Sequence, residues 1–355
     1  MTDKTVTDYL RVNRFLGDAI VTRAVATACD CGLVDALEAG PLDATTLGDR
    51  AGLTLPGLDL LLAALRRSCC VERVGGRWQL TESFRAALAY RDLLTAKAEA
   101  ALAVAPDLLE RFDLLLADPA AFQQASRLFE LFDYGRCTIN TPANRSYAAR
   151  WMRLTTALTR YEAPLVFPRV PFAAHRRLLD VGGNSGEFCV RACAAFGQLE
   201  ATVADLPAVC GVGAAHVASF CPAPPVRFVH FDLRRDPLPP GHDLVVCKSL
   251  LHDWPEQAVG ELLARIFAGI EPGGRLVIFE RRRPAADQLD PAFGDLPVWM
   301  FWHAYREPDD YLRRLADGGW SGIEHEEIMS DMPWMLIQAV KPPLKHSAAA
   351  REVSR

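Results

Sequence analysis

The chain has 355 residues, half of them hydrophobic and 23% charged, which is the composition of a folded globular protein of about two domains. Its formal net charge of −5 argues against a nucleic-acid or membrane-binding surface, and no apolar run is long enough to span a bilayer. Residues 1–14 contain no apolar signal core, and the ten cysteines lack paired zinc-type spacing. We therefore expect a cytoplasmic protein with reduced thiols.

The N-terminal region, residues 1–100, is predicted to be mostly helical. Apolar residues recur at helical spacing over 7–39, and two shorter helices follow at 43–50 and 54–67. Residues 71–81 are predicted to form a β-hairpin around Gly75-Gly76. Two helices followed by a hairpin are typical of a winged-helix domain.

A winged helix raises the alternative of a DNA-binding regulator. The second helix argues against it, because residues 58–65 are apolar where a groove-reading helix needs polar and basic side chains. Together with the apolar segment 10–37, this helix presents more apolar surface than one small domain can bury. The pattern predicts a homodimer built mainly from residues 1 to about 100.

Residues 101–175 are predicted to be a helical connector that contributes to the acceptor pocket. Helices are expected at 92–116, 120–131 and 144–165, and a linker at 168–175.

A glycine-rich turn opens the second predicted domain, residues 176–341. An apolar strand at 178–181 leads into this turn, and a helix is predicted at 188–196. The turn glycines allow a close backbone approach to a ligand; they are Gly182, Gly183 and Gly186. The G-G-x-x-G spacing differs from the dinucleotide fingerprint, so a turn that only packs is the alternative.

Four further predicted strands end in charged residues, namely Asp205, Asp232, Lys248 and Glu280. Ligands of open α/β sheets bind outside the carboxyl ends of the strands. Asp205 follows Asp180 by 25 positions, near the place where an acidic residue takes a ribose diol in such folds. An antiparallel pair at 320–327 and 333–341 is predicted to close the sheet, and residues 342–355 read as a disordered tail.

The segment Cys247–Pro255 carries the best candidate for acid–base chemistry. His252 lies just past a strand end, and an imidazole can act as a base at neutral pH. A helix-capping or core histidine is the alternative. Lys248 is the sole lysine between Lys97 and Lys341, which suggests that an ammonium group is needed there.

Six motifs match one enzyme family in sequence and in order. They read LLDVGGNSGEF, VADLPAV, FVHFDLRRDPLP, DLVVCKSLLHDWPEQ, EPGGRLVIFE and YREPDDYLRRLADGGW. The second domain resembles class I S-adenosylmethionine-dependent methyltransferases. The whole chain to about Lys341 resembles the small-molecule O-methyltransferases, which include caffeic acid, acetylserotonin and many bacterial natural-product enzymes.

The resemblance implies an α/β fold, with a Rossmann-like methyltransferase domain preceded by a mostly α winged-helix dimerisation domain. It implies methyl transfer from S-adenosylmethionine to a hydroxyl of a small aromatic acceptor, for example a phenol. An in-line displacement at a sulfonium methyl group needs no metal, so we expect none. His252 would be the general base, with Glu280 and Glu307 flanking and orienting it. The positions that match cofactor contacts are Gly182, Asp205, Leu206, Asp232, Leu233 and Lys248, and Met152 matches an acceptor contact.

The chain departs from the family in two places. Arg281–Arg283 follow Glu280 directly, and the segment 295–306 is rich in aromatic residues where the family has a lighter, glycine-containing loop. We expect Trp299 and His303 of that segment to contact the acceptor.

Three rival functions share the same sequence features. One is N- or C-methylation on the same scaffold. A second is an enzyme that keeps the cofactor but has drifted to decarboxylation or hydroxylation, which His252 argues against. The third is the noncatalytic winged-helix regulator.

Overall fold

The computed structural model describes residues 6–126, 132–285 and 292–343, which form two compact units. The helical unit comprises residues 1–133, 147–161 and 284–303, and the sheet unit comprises 134–146, 162–283 and 304–355. The sequence predicted continuous domains with boundaries near 100 and 175. In the structure both units are discontinuous, because one long helix over 142–166 supplies residues to each.

The α-helices are α1 Ala19–Asp30, α2 Leu33–Glu38, α3 Ala44–Ala51, α4 Leu55–Arg67, α5 Glu82–Ala87, α6 Arg91–Ala117, α7 Pro119–Ala125, α8 Pro142–Val166, α9 Glu187–Ala195, α10 Pro207–Ala218, α11 Glu256–Gly269, α12 Leu296–Trp299 and α13 Pro308–Asp317. The strands are β1 Val71–Val74, β2 Arg77–Leu80, β3 Arg177–Val181, β4 Glu200–Asp205, β5 Val226–His230, β6 Leu244–Lys248, β7 Arg275–Arg281, β8 Ser321–Met329 and β9 Pro333–Val340. Short 3-10 helices cover Asp8–Phe15, Leu88–Tyr90, Tyr134–Thr138, Phe172–Ala174, Leu251–Asp253 and Phe293–Asp295.

The first predicted helical stretch, residues 7–39, is divided into three pieces. The 3-10 segment ends at Phe15, and Asp18 caps α1, because its carboxylate accepts a hydrogen bond from Val21 N. Gly32, at φ +72°, separates α1 from α2. The predicted helix pair and hairpin follow as α3, α4 and the antiparallel pair of β1 with β2, with Gly75 and Gly76 at positive φ in the turn.

Two predicted segments reach beyond the described residues. The helix predicted at 120–131 is present as α7, Pro119–Ala125, and residues 127–131 lie outside the description. Most of the predicted tail, residues 344–355, also lies outside it. In the described part of the chain, no helix is long and apolar enough to cross a membrane.

The sheet unit contains a seven-stranded sheet in the order β5-β4-β3-β6-β7-β9-β8. The first five strands are parallel, and β9 runs antiparallel to both β7 and β8. Strands buried on both faces read as continuous apolar runs, as in β3 and β6. The sequence prediction of a Rossmann-like domain after a mostly helical region is confirmed.

Neighbouring β3 and β6 form the topological switch point, because the chain leaves β3 on one side and returns at β6 on the other. The turns after these two strands touch each other. Gly182, at φ +65°, lies so close to Leu250 that a Cβ there would stand 2.6 Å from the leucine Cδ1. The positive φ at 182 therefore favours glycine, and a side chain there would force Leu250 to shift.

Candidate active site

The turn that follows β6 carries His252. Ser249 adopts φ +49°, an uncommon conformation for a residue with a side chain. The chain then enters the 3-10 turn Leu251–Asp253, which projects the imidazole of His252 from the strand end. Strained backbone of this kind persists where the surrounding structure holds it in place.

Glu280, at the end of β7, holds this turn with both carboxylate oxygens. Oε1 accepts hydrogen bonds from the backbone N–H groups of Leu250 and Leu251, each at 2.7 Å. Oε2 lies 2.7 Å from His252 Nδ1. The carboxylate is completely buried and the histidine side chain is 12% exposed. One side chain thus fixes the backbone of the turn and the orientation of the imidazole, and it assigns the Nδ1 proton to the bond with Glu280.

Asp253 lies on the other side of the imidazole, with Oδ1 3.4 Å from His252 Nε2. Its Oδ2 accepts a hydrogen bond of 3.0 Å from the Tyr134 hydroxyl. Burial lowers the pKa of His252, but the charges of Asp253 and Glu280 outweigh it, and the net result is a raised pKa. Burial also raises the pKa of Asp253. The site therefore favours a histidine that takes up a proton.

Two further residues brace the turn. Arg306 donates to the carbonyl oxygen of Leu251 at 2.8 Å and also to that of Trp254. The buried ring of Tyr305 meets the His252 ring edge-on, with 5.5 Å between centroids. Nothing in the sequence singled out Tyr134, Tyr305 or Arg306, because the residues that they contact are distant along the chain.

Asp205 lies at the end of β4, where the sequence predicted a cofactor contact. Its Oδ2 accepts from Asn184 N at 2.8 Å and its Oδ1 from Leu206 N at 2.7 Å. Burial raises the pKa of Asp205 to about 6, although these two bonds lower it. Each carboxylate oxygen has a second lone pair, so the group can accept further hydrogen bonds. Leu206 is the half-buried residue before α10.

Asp232, the second predicted cofactor carboxylate, is held by two arginines in this structure. Arg234 Nε and Nη2 bind its two oxygens at 2.7 and 2.8 Å, and Arg235 Nε adds a bond of 2.8 Å. The bonds from Arg234 lower the pKa of Asp232 to about 2. Leu233, the predicted apolar neighbour, is buried in the core of the sheet unit.

Lys248 ends β6 in a buried ion pair. Its Nζ lies 2.6 Å from Glu162 Oε2, and the two side chains are 8% and 1% exposed. The other oxygen of Glu162 binds Arg281 Nη2 at 2.6 Å, and Arg281 also binds Asp331 Oδ2 at 3.0 Å. The first of the three unusual arginines is therefore a buried structural cation.

Glu307 precedes α13 and is half exposed, with its carboxylate 3.7 Å from Arg282 Nη1. Arg282 also pairs with Glu327 at 2.9 Å. In this structure the two carboxylates at the imidazole are those of Glu280 and Asp253, and a role for Glu307 beside His252 stays a prediction.

The three predicted acceptor contacts belong to the helical unit. Met152 is buried in α8, Trp299 is half-buried at the end of α12, and His303 Nε2 lies 3.0 Å from the carbonyl oxygen of Leu115. A cavity in the same unit is lined by their chain neighbours Trp151 and Met300 and by residues of α6.

The residues at the switch point fit an adenosyl cofactor. The hydroxyl of Ser249 is buried and has no hydrogen-bond partner among the described residues, which is rare without a ligand or water. Gly182 leaves its turn without a side chain, and Asp205 retains acceptor capacity for the two hydroxyls of a ribose. The turn after β3, the Asp205 carboxylate and Ser249 are the groups that would hold such a cofactor.

The O-methyltransferase domain family matches residues 116–321, more than half of the chain. The protein belongs to this O-methyltransferase family. The resemblance drawn from the sequence is confirmed, and with it an S-adenosylmethionine-dependent O-methyltransferase activity.

Similar proteins agree with this assignment. The 3-hydroxy-5-methyl-1-naphthoate 3-O-methyltransferase of Streptomyces sahachiroi is 28% identical over 267 residues, covering 73% of each chain. The demethylspheroidene O-methyltransferase of Rhodobacter capsulatus is 27% identical over 298 residues, covering 82% of this chain and 72% of the relative. Among solved structures, the O-methyltransferase NcsB1 in complex with S-adenosylmethionine and 2-hydroxy-5-methyl naphthoic acid has a TM-score of 0.65 at 20% identity, covering 91% of this chain and 97% of that one.

Proposed function

We propose that this O-methyltransferase methylates a hydroxyl of a small aromatic acceptor, with His252 as the general base. The observation that carries the proposal is the bond of 2.7 Å between His252 Nδ1 and the buried carboxylate of Glu280. It leaves Nε2 as the nitrogen that can accept a proton from an acceptor hydroxyl. Glu280 orients the ring and stabilises the imidazolium that forms, as carboxylates do beside catalytic histidines.

The reaction needs the acceptor proton removed as its oxygen becomes a nucleophile. When bound, S-adenosylmethionine would supply a methyl carbon activated by a sulfonium, with the neutral thioether as the leaving group. His252 Nε2 takes the hydroxyl proton, and Glu280 and Asp253 balance the resulting charge. Asp253 is held ready for this by Tyr134. Most of the rate gain would come from holding the two reactants in line.

The cofactor contacts proposed for this chain are the six positions predicted from the sequence. Gly182, Asp205 and Leu206 lie at the turns after β3 and β4, and Asp205 would accept the ribose hydroxyls. Asp232 and Leu233 follow β5, which ends at His230, and Lys248 ends β6. Asp232 and Lys248 have internal ion partners in this structure. No metal enters the proposed reaction. Met152, Trp299 and His303 stay proposed acceptor contacts.

An aromatic acceptor is supported by two similar proteins. The Streptomyces sahachiroi relative is named for a hydroxynaphthoate, and the NcsB1 structure contains a hydroxynaphthoic acid. We therefore propose phenols and hydroxynaphthoates as the first class to test.

A methyl-transfer screen with mass detection tests this function. The enzyme is incubated with S-adenosylmethionine and a panel of phenols, hydroxybenzoates, hydroxynaphthoates and matched aromatic amines. We expect a gain of one methyl group on hydroxyl-bearing members, absent without enzyme. Methylation confined to amines or to carbon would favour the rival transferases. Loss of carbon dioxide or gain of oxygen would indicate a drifted enzyme.

We further propose that the protein is a homodimer formed mainly by residues 1 to about 100. Large apolar side chains are exposed in that region, with Ile20 at 73% and Leu60 at 75%. Exposed apolar side chains that form a continuous patch mark an interaction site, and we propose that these residues belong to one.

A further inference from the structure

A single buried carboxylate, that of Glu162, binds the ends of two neighbouring strands. Glu162 lies near the end of α8 and is 1% exposed. Its Oε2 accepts from Lys248, the last residue of β6, and its Oε1 accepts from Arg281, the last residue of β7, each at 2.6 Å. Lys248 and Arg281 are also buried, so removing the Glu162 carboxylate would leave each buried cation without one of its ion partners.

These two strand ends are the ones that carry the proposed catalytic pair. Lys248 stands four residues before His252, and Arg281 is the residue next to Glu280. Ser249, which lies between Lys248 and His252, has a left-handed backbone conformation that needs support from the surrounding structure. The hydrogen bond between His252 and Glu280 joins β6 to β7, so its geometry depends on the relative position of these two strand ends.

Asp331 completes a buried cluster of four charged residues, in which it joins Glu162, Lys248 and Arg281. Asp331 binds the far side of Arg281 at 3.0 Å, and Trp334 stacks beneath the guanidinium with 4.2 Å between the Arg281 Cζ and the ring centroid. Two buried cations therefore face two buried carboxylates. Asp331 binds Arg281 through Oδ2, whereas Glu162 binds both cations through its two carboxylate oxygens.

We propose that Glu162 is a positioning residue for methyl transfer, because it clamps the ends of β6 and β7 and so holds His252 and Glu280 in register. The inference rests on the proposed function, since it assumes that His252 and Glu280 act together. It accounts for a departure from the family that the sequence left unexplained, namely the arginine that follows Glu280.

Asp331→Asn is the matched control for Glu162→Gln. Each replacement removes one carboxylate charge from the same buried quartet and keeps the side-chain shape, and Glu162→Gln also weakens the side-chain link between Lys248 and Arg281. Any effect of charge or lost stability on Arg281 alone is common to both variants. A difference between them reports the clamp.

The first readout is the Nδ1 proton of His252, observed by NMR in cofactor-free protein with 15N-labelled histidine. We expect a low-field signal in the wild type that is absent from His252→Ala and Glu280→Gln. Glu162→Gln should lose or broaden this signal, whereas Asp331→Asn should retain it.

The second readout is turnover of the best phenol or hydroxynaphthoate from the screen. We expect kcat to fall by about 10-fold to 100-fold in Glu162→Gln, since small misplacements of reacting groups have effects of this order. Asp331→Asn should stay within about threefold of wild type.

Glu162→Asp covers the case in which Glu162→Gln does not fold. It keeps the charge balance but is one methylene shorter, so one carboxylate can no longer reach both cations, and the same losses are expected. An unchanged His252 signal and kcat in a folded Glu162 variant, or equal losses in the Glu162 and Asp331 variants, would overturn the proposal. A wild type without the His252 signal, or a His252→Ala enzyme with normal turnover, would instead refute the catalytic pair itself.

Discussion

Two carboxylates at neighbouring strand ends have opposite electrostatic environments. Burial dominates at Asp205 and raises its pKa to about 6, whereas the bonds from Arg234 dominate at Asp232 and lower its pKa to about 2. Both were predicted from the sequence as cofactor contacts on the same grounds. The difference follows from the two residues after Asp232, which are arginines, and from the closed surroundings of Asp205.

The affinity for S-adenosylmethionine should depend on the protonation of Asp205. Only the ionised carboxylate accepts hydrogen bonds from both ribose hydroxyls with full strength, so binding favours the deprotonated form. Below the pKa of about 6, binding must first displace a proton, and Kd should rise by up to about tenfold per pH unit. Calorimetry on the wild type between about pH 5 and pH 8 measures this slope.

Asp205→Asn is the control for that titration, because it keeps the shape and cannot ionise. It should bind more weakly at neutral pH, since hydrogen bonds to a charged group are worth about 1.5–3 kcal/mol each. Its affinity should lose the dependence on pH. A wild-type affinity that is constant across this range, or an unchanged affinity in Asp205→Asn, would remove Asp205 from the cofactor site.

The charged residues at strand ends could be predicted from the sequence, because a buried strand appears as an apolar run. The first polar residue after such a run marks the end of the strand. Their partners were not, because these come from distant parts of the chain. Lys248 and Glu162 are separated by 86 residues, and Tyr134 and Asp253 by 119. Nothing in the sequence near Lys248 indicates that its ammonium is paired with Glu162, so this ion pair could not be predicted.

At the scale of elements, the turns after β3 and β6 meet at the switch point. The contact between Gly182 and Leu250 sets how closely the turn that leads to His252 can approach the glycine turn. The strands were predicted to within a few residues, since buried parallel strands give short apolar runs bounded by turn residues. The division of residues 7–39 was missed, because the apolar spacing continues across the break at Gly32.

Gly182→Ala should destabilise the protein more than Gly273→Ala. Both glycines have positive φ, at +65° and +80°, so both substitutions incur a backbone cost of roughly 1–2 kcal/mol. A Cβ at 182 would also clash with Leu250 at 2.6 Å, whereas one at 273 meets nothing within 4 Å. Overpacking adds about 1–3 kcal/mol, so the two free energies of unfolding in urea should differ by this amount. Equal losses would show that the approach of Leu250 is not constrained.

At the scale of the whole molecule, chain order alone misleads about the domain limits. The sequence predicted continuous domains with boundaries near 100 and 175, but α8 contributes its middle to the helical unit and its ends to the sheet unit. A prediction made along the sequence places a continuous helix such as α8 in a single region of the chain. The Rossmann-like class was nevertheless predictable, because alternating strands and helices with one antiparallel pair at the end specify the sheet.

The dimer prediction belongs to this scale. Ile20→Glu combined with Leu60→Glu places two charges on exposed apolar positions of the helical unit and should give a monomer by light scattering at micromolar concentration, where we expect the wild type to be a dimer. Met329→Glu is the control, since this residue is 53% exposed but lies on β8 of the sheet unit. The prediction fails if the wild type is monomeric, or if the double variant stays dimeric.

The most direct test of His252 as the general base is the turnover of His252→Ala across phenols of graded acidity. The variant should fold and bind S-adenosylmethionine as the wild type does, because the proposed cofactor contacts lie on other residues. For weakly acidic phenols kcat should fall by about 10²–10⁴. The loss should shrink as the phenol becomes more acidic, because an acceptor already ionised in solution needs no base. Near-normal turnover of a weakly acidic phenol, or loss of cofactor binding together with activity, would contradict the assignment.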